Sequence, residues 1–252
     1  MNMKISELFA FEGKVACVTG ASTGLGKHVA SILLKNGVKV VGVSRNKSLL
    51  ELWSDEAGQG AAFVPFDLVE RDKIKAIASK ISNRFGPPDI LINAAGINTR
   101  EHADDVTHDN WDKTIELNLA APFFMAQALV PNMIKNKWGR IVNFASLQSR
   151  RAFPSGLSYG ASKGGVEQMT RAMAEAWSAK GITVNALAPG FFPTELTRTV
   201  FNDPVLSKKN ADQTCIGRNG ILDDLNGPIL FLCSQASAYV TGQMLFVDGG
   251  FT

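Results

Sequence analysis

The sequence predicts an α/β fold in a single domain: a doubly wound parallel sheet of about seven strands with helices on both faces. Three observations carry this. Short apolar runs alternate with helical stretches along the whole chain. The runs are continuously apolar instead of alternating, and 252 residues suit one large α/β domain. A strand covered on both faces has no solvent side for polar residues, so it reads as an unbroken apolar run. Apolar residues make up 45% of the chain and charged residues 19%, which permits a substantial core and argues against general disorder.

Taken in order, Lys14–Thr19 (KVACVT) reads as the first strand. Gly24–Asn36 reads as the first helix, stopped by Gly37. Val38–Val43 is the second strand, and further strands are expected at Ala61–Pro65, Asp89–Ile92, Arg140–Ala145, Thr183–Ala188 and Met244–Val247. Two long helices are expected in the middle. One runs from about Asp109 to Lys135, where Pro122 predicts a kink or a late first turn, and the other from about Leu157 to Ala179. The stretch Pro189–Asp224 is rich in Gly, Pro, Asn and polar residues, which suits a flap over a site at about 190–224. No linker or internal repeat divides the chain, so 1–252 is expected to form one unit.

The net charge is +3 with the signs mixed, and the basic pairs Arg150-Arg151 and Lys208-Lys209 are too short for a nucleic-acid or membrane patch. The N-terminal apolar patch is shorter than a signal peptide needs, and no uncharged run is expected to reach membrane-spanning length. Cys17, Cys215 and Cys233 lack a CxxC pattern, with Cys17 and Cys233 expected as buried thiols, which suits a reducing compartment. A soluble cytoplasmic protein is therefore expected. His28, His102 and His108 have no metal-ligand spacing, and the acid-rich stretch Glu101–Asp109 reads as a solvated helix start, so no metal is expected.

Thr19-Gly20-Ala21-Ser22-Thr23-Gly24-Leu25-Gly26 follows the first strand and opens the first helix. Gly20 permits the tight turn, Gly24 lets backbone approach a pyrophosphate, and Gly26 lets helix and strand pack closely. The helix N-terminus then offers N–H donors and a partial positive charge. A glycine trio alone is a weak signal; the strand–turn–helix context strengthens it.

This G-x-x-x-G-x-G spacing resembles the form used by the short-chain dehydrogenase/reductase family, and the resemblance covers essentially the whole chain. Asn93-Ala94-Ala95-Gly96 resembles the family's NNAG turn after the fourth strand, with Ala94 in place of the second Asn. Asp67 matches the acid that contacts the adenine amino group in the family. Pro189-Gly190 matches its PG turn, and Thr194 the hydroxyl that meets the nicotinamide carboxamide. The resemblance implies a Rossmann-type fold and hydride transfer between a nicotinamide cofactor and a ketone or secondary alcohol. It implies cofactor contacts from Gly20, Ser22, Thr23, Gly24, Leu25 and Gly26 in the first turn. Further contacts are implied from Asp67 and Leu68, from Asn93, Ala94 and Gly96, and from Pro189, Gly190, Phe192 and Thr194.

An acid closing the second strand would hydrogen-bond the ribose of NAD and repel the extra phosphate of NADP. Ser44-Arg45-Asn46-Lys47 stands there, with no acid until Glu51, so NADP(H) is favoured over NAD(H). Arg45 can pair with a 2′-phosphate, with Lys47 or Ser22 as helpers. Some NADP-dependent relatives carry a basic residue just before the second glycine; here it is Thr23.

Tyr159 and Lys163 lie at i and i+4, on one face of a helix. A phenol is a poor acid–base group at neutral pH, and a neighbouring ammonium favours its ionised form. Ser146 closes a strand, and its hydroxyl can hydrogen-bond the substrate oxygen. Asn118 lies in the first long helix, where the resemblance implies that it holds a water leading from the lysine to solvent. Asn118, Ser146, Tyr159 and Lys163 together match the family's catalytic set, and Tyr159 and Lys163 also touch the cofactor in it.

The substrate pocket is expected between the loops after Gly96, Ser146 and Gly190. Arg100, Ser146, Gln148, Arg150, Tyr159 and Phe191 are the expected contacts, beside Asn98, Arg151, Phe153 and Glu195. That lining is polar, partly cationic and walled by aromatics, which suits a sugar acid or polyol. Either Arg100 or Arg150 could hold a carboxylate, or both could be surface residues. Ile97-Asn98-Thr99-Arg100, Ser146-Leu147-Gln148-Ser149 and Phe192-Pro193-Thr194-Glu195 resemble gluconate 5-dehydrogenases and related sugar-acid dehydrogenases. A 3-oxoacyl-thioester reductase and a non-catalytic dinucleotide-binding protein are the alternatives. The first needs a basic patch for an acidic carrier, and the second has no need of the Tyr159–Lys163 pair. The family's helix pairing, with a chain end at Gly249-Gly250-Phe251-Thr252 that carries no polar tail, implies a homotetramer.

Overall fold

The computed structural model describes residues 4–252; the first three residues of the expected unit lie outside it. Seven strands form one sheet: β1 (Val15–Thr19), β2 (Lys39–Ser44), β3 (Ala61–Pro65), β4 (Ile90–Asn93), β5 (Gly139–Phe144), β6 (Ile182–Pro189) and β7 (Met244–Val247). Their order is β3-β2-β1-β4-β5-β6-β7, and every neighbouring pair is parallel. Each expected strand is present, with its ends within one residue of the sequence reading. The connecting helices are α1 (Ile5–Leu8), α2 (Gly24–Lys35), α3 (Lys47–Ala57), α4 (Ile74–Phe85), α5 (His108–Ile115), α6 (Ala121–Asn136), α7 (Leu157–Trp177), α8 (Arg198–Phe201), α9 (Pro204–Asp212) and α10 (Asn226–Cys233).

The two-residue period of a strand sorts the core into two layers. Cys17, Val41, Leu91 and Ile141 face α4, α6 and α7. Ala16, Val18, Val40, Ile90 and Val142 face the other way, onto α2, Trp53 of α3, and α10. Val29 and Leu33, one turn apart on α2, are fully buried there. Burial of this kind stabilises by about 1.5–3 kcal/mol per large side chain. Burial also pushes the Cys17 and Cys233 thiols up to about 12, so both stay protonated.

The first long helix is interrupted just before Pro122, as expected. α5 and α6 are joined by a π-helical turn, Glu116–Ala120, in which the Ala121 N–H reaches back to the Glu116 carbonyl. Pro122 falls in the first turn of α6, where its missing N–H costs least. The run Leu117–Ile134 carries no charge, and the helix His108–Asn136 is long and apolar enough to cross a membrane by length and composition. That corrects the expectation that no such run exists. Met125, Leu129 and Met133 on this helix are buried against the sheet, the packing of a core helix.

The strand order reverses between β1 and β4, and a crevice opens there at the carboxyl ends of the strands. The loops after β1 through β6 converge on it. The segment expected as a flap covers its outer side and holds two helices the sequence reading did not resolve, α8 and α9.

Candidate active site

The crevice is a cleft of about 770 Å³. Gly20, Ser22, Thr23, Gly24, Leu25 and Gly26 line its floor after β1; Ser44 and Arg45 close β2, and Asp67 and Leu68 follow β3. Ala94 and Gly96 come after β4, Ser146 and Gln148 after β5, and Pro189, Gly190, Phe191, Phe192 and Thr194 after β6.

The glycine turn is built by packing. Gly20 has φ +71°, and a Cβ on it would stand 2.9 Å from the Ala95 backbone. A Cβ on Gly26 would run into the Gly20 carbonyl oxygen. The Thr19 hydroxyl accepts the Ala94 and Ala95 N–H groups at 3.1 and 3.2 Å, tying the β1 turn to the β4 turn. Thr23, at the N-cap of α2, makes no side-chain cap, so the positive end of the helix is left for an anion. Close backbone, uncapped helix end and flanking hydroxyls fit the pyrophosphate of a dinucleotide.

At the end of β2 the Ser22 and Ser44 hydroxyls stand 2.9 Å apart. Arg45 beside them is exposed at the cleft edge. Lys47 pairs with Glu51 at 3.3 Å. Asp67 is half-buried, its Oδ1 accepting the Val69 N–H at 3.3 Å.

Tyr159 and Lys163 project from the same face of α7, with Lys163 Nζ 5.7 Å from the centre of the Tyr159 ring. Lys163 is only 4% exposed and donates to the Phe144 carbonyl at 2.6 Å; burial lowers its ammonium to about 8. Burial raises the Tyr159 phenol, while the Ser146 hydroxyl and the positive charge of Arg100 pull it back down. The sequence reading assigned that tuning to Lys163. The structure corrects this: the phenol stays raised by burial, and the cation acting on it is Arg100. Ser146 also accepts the Gln148 N–H at 3.1 Å, which orients its hydroxyl.

Asn118 lies in the π-helical turn and stays behind the cleft wall. Its Oδ1 accepts the Ile97 N–H and its Nδ2 donates to the Ile97 carbonyl, both at 2.9 Å, with Ser162 Oγ at 3.1 Å. Gly96 separates it from the lysine: a Cβ there would meet Asn118 Oδ1 at 3.2 Å and Lys163 Nζ at 3.7 Å.

Two expected contacts fall elsewhere. Asn93 turns its side chain into the interior, donating to Asn143 Oδ1 at 2.9 Å and to the Pro122 carbonyl at 3.3 Å. Arg150, expected at the substrate, lies off the cleft. Glu167 on α7 takes its guanidinium at 2.6–3.2 Å, and it sits over the Phe246 ring at 5.3 Å. A local carboxylate with both oxygens in reach satisfies the fork of the arginine. Arg151 is likewise tied to the Phe251 carbonyl at 2.9 Å. Arg100 remains in the cleft in a left-handed conformation (φ 56°), donating to the Leu196 carbonyl at 2.6 Å. Phe153 and Phe191 meet edge to face at 6.1 Å and form the aromatic wall.

Leu206 and Asn210, one turn apart on α9, also line the cleft and were missed. Asp203-Pro204 was the available signal. Asp at an N-cap followed by Pro at the first helical position marks a helix start, and Asp203 does cap the Val205 and Leu206 N–H groups.

The family model described as enoyl-(acyl carrier protein) reductase matches residues 20–252. Gluconate 5-dehydrogenase of Gluconobacter oxydans is 38% identical, over 99% of each chain. The 2-dehydro-3-deoxy-D-gluconate 5-dehydrogenase of Escherichia coli is 40% identical, over 98% of each. The crystal structure of a gluconate 5-dehydrogenase from Burkholderia cenocepacia, in complex with NADP and tartrate, superposes with a TM-score of 0.92 at 37% identity, over 98% of each chain. With the all-parallel sheet, the glycine turn at its switch point and the Tyr159–Lys163 pair facing one cleft, these matches show that the chain belongs to the short-chain dehydrogenase/reductase family and is an oxidoreductase of that family.

Proposed function

We propose that the chain transfers a hydride between NADP(H) and a secondary alcohol or ketone of a sugar acid or polyol. The observation that carries this is the convergence of Arg100, Ser146 and Tyr159 on one cleft, with the charge of Arg100 acting on the Tyr159 phenol. A substrate carboxylate on Arg100 brings its neighbouring hydroxyl groups toward that phenol. Gln148 and Asn98 add polar contacts. The relatives named for gluconate and deoxygluconate chemistry support the same substrate class.

When bound, the nicotinamide dinucleotide supplies or accepts the hydride. Tyr159 gives a proton to the substrate oxygen in reduction and takes it in oxidation. Ser146 hydrogen-bonds that oxygen as charge develops on it. Lys163, which donates to the Phe144 carbonyl, would hold the cofactor's ribose and steady the phenolate. Asn118 holds the Ile97 backbone and so fixes the wall beside Lys163.

The preference for NADP(H) is supported by the acid-free end of β2, with Arg45 exposed beside the Ser22–Ser44 pair. The segment 190–224 serves as the substrate flap, with Phe191, Leu196, Val200 and Leu206 on the cleft. A cytoplasmic homotetramer completes the proposal. Trp111 on α5 and Leu245 on the edge strand β7 are exposed and apolar, which suits subunit contacts. A tetrameric mass by light scattering is expected, and a monomeric mass at micromolar concentration counts against it.

The acyl-carrier-protein description of the matching family model raises reduction of a 3-oxoacyl thioester at its ketone as the second reading. Arg150 and Arg151, the pair that could have met an acidic carrier, are both engaged away from the cleft. The test is a dehydrogenase assay over sugar acids, polyols and a 3-oxoacyl thioester with both cofactors. Turnover of a sugar acid or polyol above all others is expected; preference for the thioester overturns the proposal.

A further inference from the structure

We propose that Glu195 sets how tightly the glycine turn holds the cofactor, acting as a built-in competitor for the pyrophosphate position. The inference rests on that turn as the pyrophosphate site. Glu195 follows Thr194 in the loop between β6 and α8, and both pack on Gly24, the first residue of α2. A Cβ on Gly24 would lie 3.3 Å from Glu195 Oε2 and 3.4 Å from Thr194 Cβ. The carboxylate thus stands at the positive end of α2, where an anion is favoured.

A pyrophosphate seated at the same helix end would face this carboxylate across Gly24. Two like-signed groups then compete for one partial positive charge, and the side chain has to move. The structure provides a place for it. Thr194 and Glu195 form the partition between the main cleft and a second cleft of about 560 Å³, and the far side carries Lys27 and Arg198. Lys27 is half-engaged by Glu56 at 3.0 Å. Rotation of the Glu195 side chain exchanges the helix end for these cations.

The backbone around Glu195 is held while its side chain is exposed. The Thr194 N–H and hydroxyl both meet the Thr197 hydroxyl at 3.0 Å, and the Leu196 carbonyl accepts from Arg100 at 2.6 Å. The moving part is therefore one side chain, and the loop can stay in place. A competitor of this kind trades affinity for faster cofactor release, which governs turnover in enzymes limited by product departure.

The test is titration of the parent, Glu195→Gln and Glu195→Asp with NADPH and with adenosine 2′-phosphate, which lacks a pyrophosphate, at low and high ionic strength. Glu195→Gln should bind NADPH roughly three- to tenfold more tightly at low salt, the advantage shrinking at high salt, as expected for one near-surface charge removed. Adenosine 2′-phosphate should bind all three proteins alike, and Glu195→Asp, which keeps the charge, should stay near the parent. Unchanged or weaker NADPH binding by Glu195→Gln overturns the inference, as does equal tightening toward both ligands, which would be a general charge effect. A parent that binds adenosine 2′-phosphate and no pyrophosphate-bearing ligand would remove the glycine-turn reading itself, and the inference with it.

Discussion

Replacing Ser44 with Asp and Arg45 with Ala should reverse the cofactor preference. A guanidinium on a 2′-phosphate gains charge-assisted hydrogen bonds of about 1.5–3 kcal/mol when well formed. Arg45 is exposed, so solvent reduces this to about 1 kcal/mol or a little more. Losing it should weaken NADP by roughly five- to tenfold. Ser44 closes β2 next to Arg45, with its hydroxyl 2.9 Å from that of Ser22. A carboxylate there, about 4–5 Å from a doubly charged phosphate in a water-like medium, adds on the order of 2 kcal/mol of repulsion. It also supplies the ribose acceptor that favours NAD. Together the two changes should move the ratio of kcat/KM for NADP over NAD by at least a hundredfold, measured with one substrate at matched ionic strength. A parent that already favours NAD, or a double mutant whose ratio is unchanged, would refute the reasoning.

Other expectations follow from individual contacts. Arg100→Ala should raise KM for an anionic substrate by tenfold or more, whereas Arg150→Ala should leave kcat/KM within about twofold, because Glu167 holds Arg150 off the cleft. Steady-state kinetics on both variants decides this, and the reverse pattern would restore Arg150 to the site. Lys163 titrates at about 8 when folded against 10.5 unfolded, so the unfolded chain binds more protons between those values and stability from this group rises with pH across that window. The full gain is roughly 3 kcal/mol. Lys163→Met should therefore flatten the difference in urea-unfolding free energy between pH 8 and pH 10, and an identical pH slope in parent and variant would contradict the burial of a charged amine.

Much of the fold was legible because the strands are buried on both faces. KVACVT and VKVVGV admit no other reading once helices separate them, and the glycine turn fixes the first strand–helix junction. Tyr159 and Lys163 were legible because four residues on a helix bring side chains together without any tertiary information. Contacts set by distant partners were not. Glu167 claims Arg150 only because α7 runs back past the loop after β5, and the Asn93 side chain follows Asn143 on a neighbouring strand. The π-helical turn that aims Asn118 at Ile97 has no composition of its own, since one extra residue per turn leaves the apolar pattern almost unchanged. The uncharged run Leu117–Ile134 shows the same limit from the other side: a core helix and a membrane span share that composition, and only the packing of Met125, Leu129 and Met133 separates them.

The most direct test of the proposed chemistry is the Tyr159→Phe variant, assayed for turnover with NADPH and a keto sugar acid and titrated separately with NADPH. The phenol oxygen is the only atom removed, and the cleft, the glycine turn and Lys163 remain. Turnover should fall by at least a thousandfold while the Kd for NADPH stays within about threefold, since only the proton-transfer step loses its group. Turnover within tenfold of the parent would contradict the assignment of Tyr159 as the proton donor.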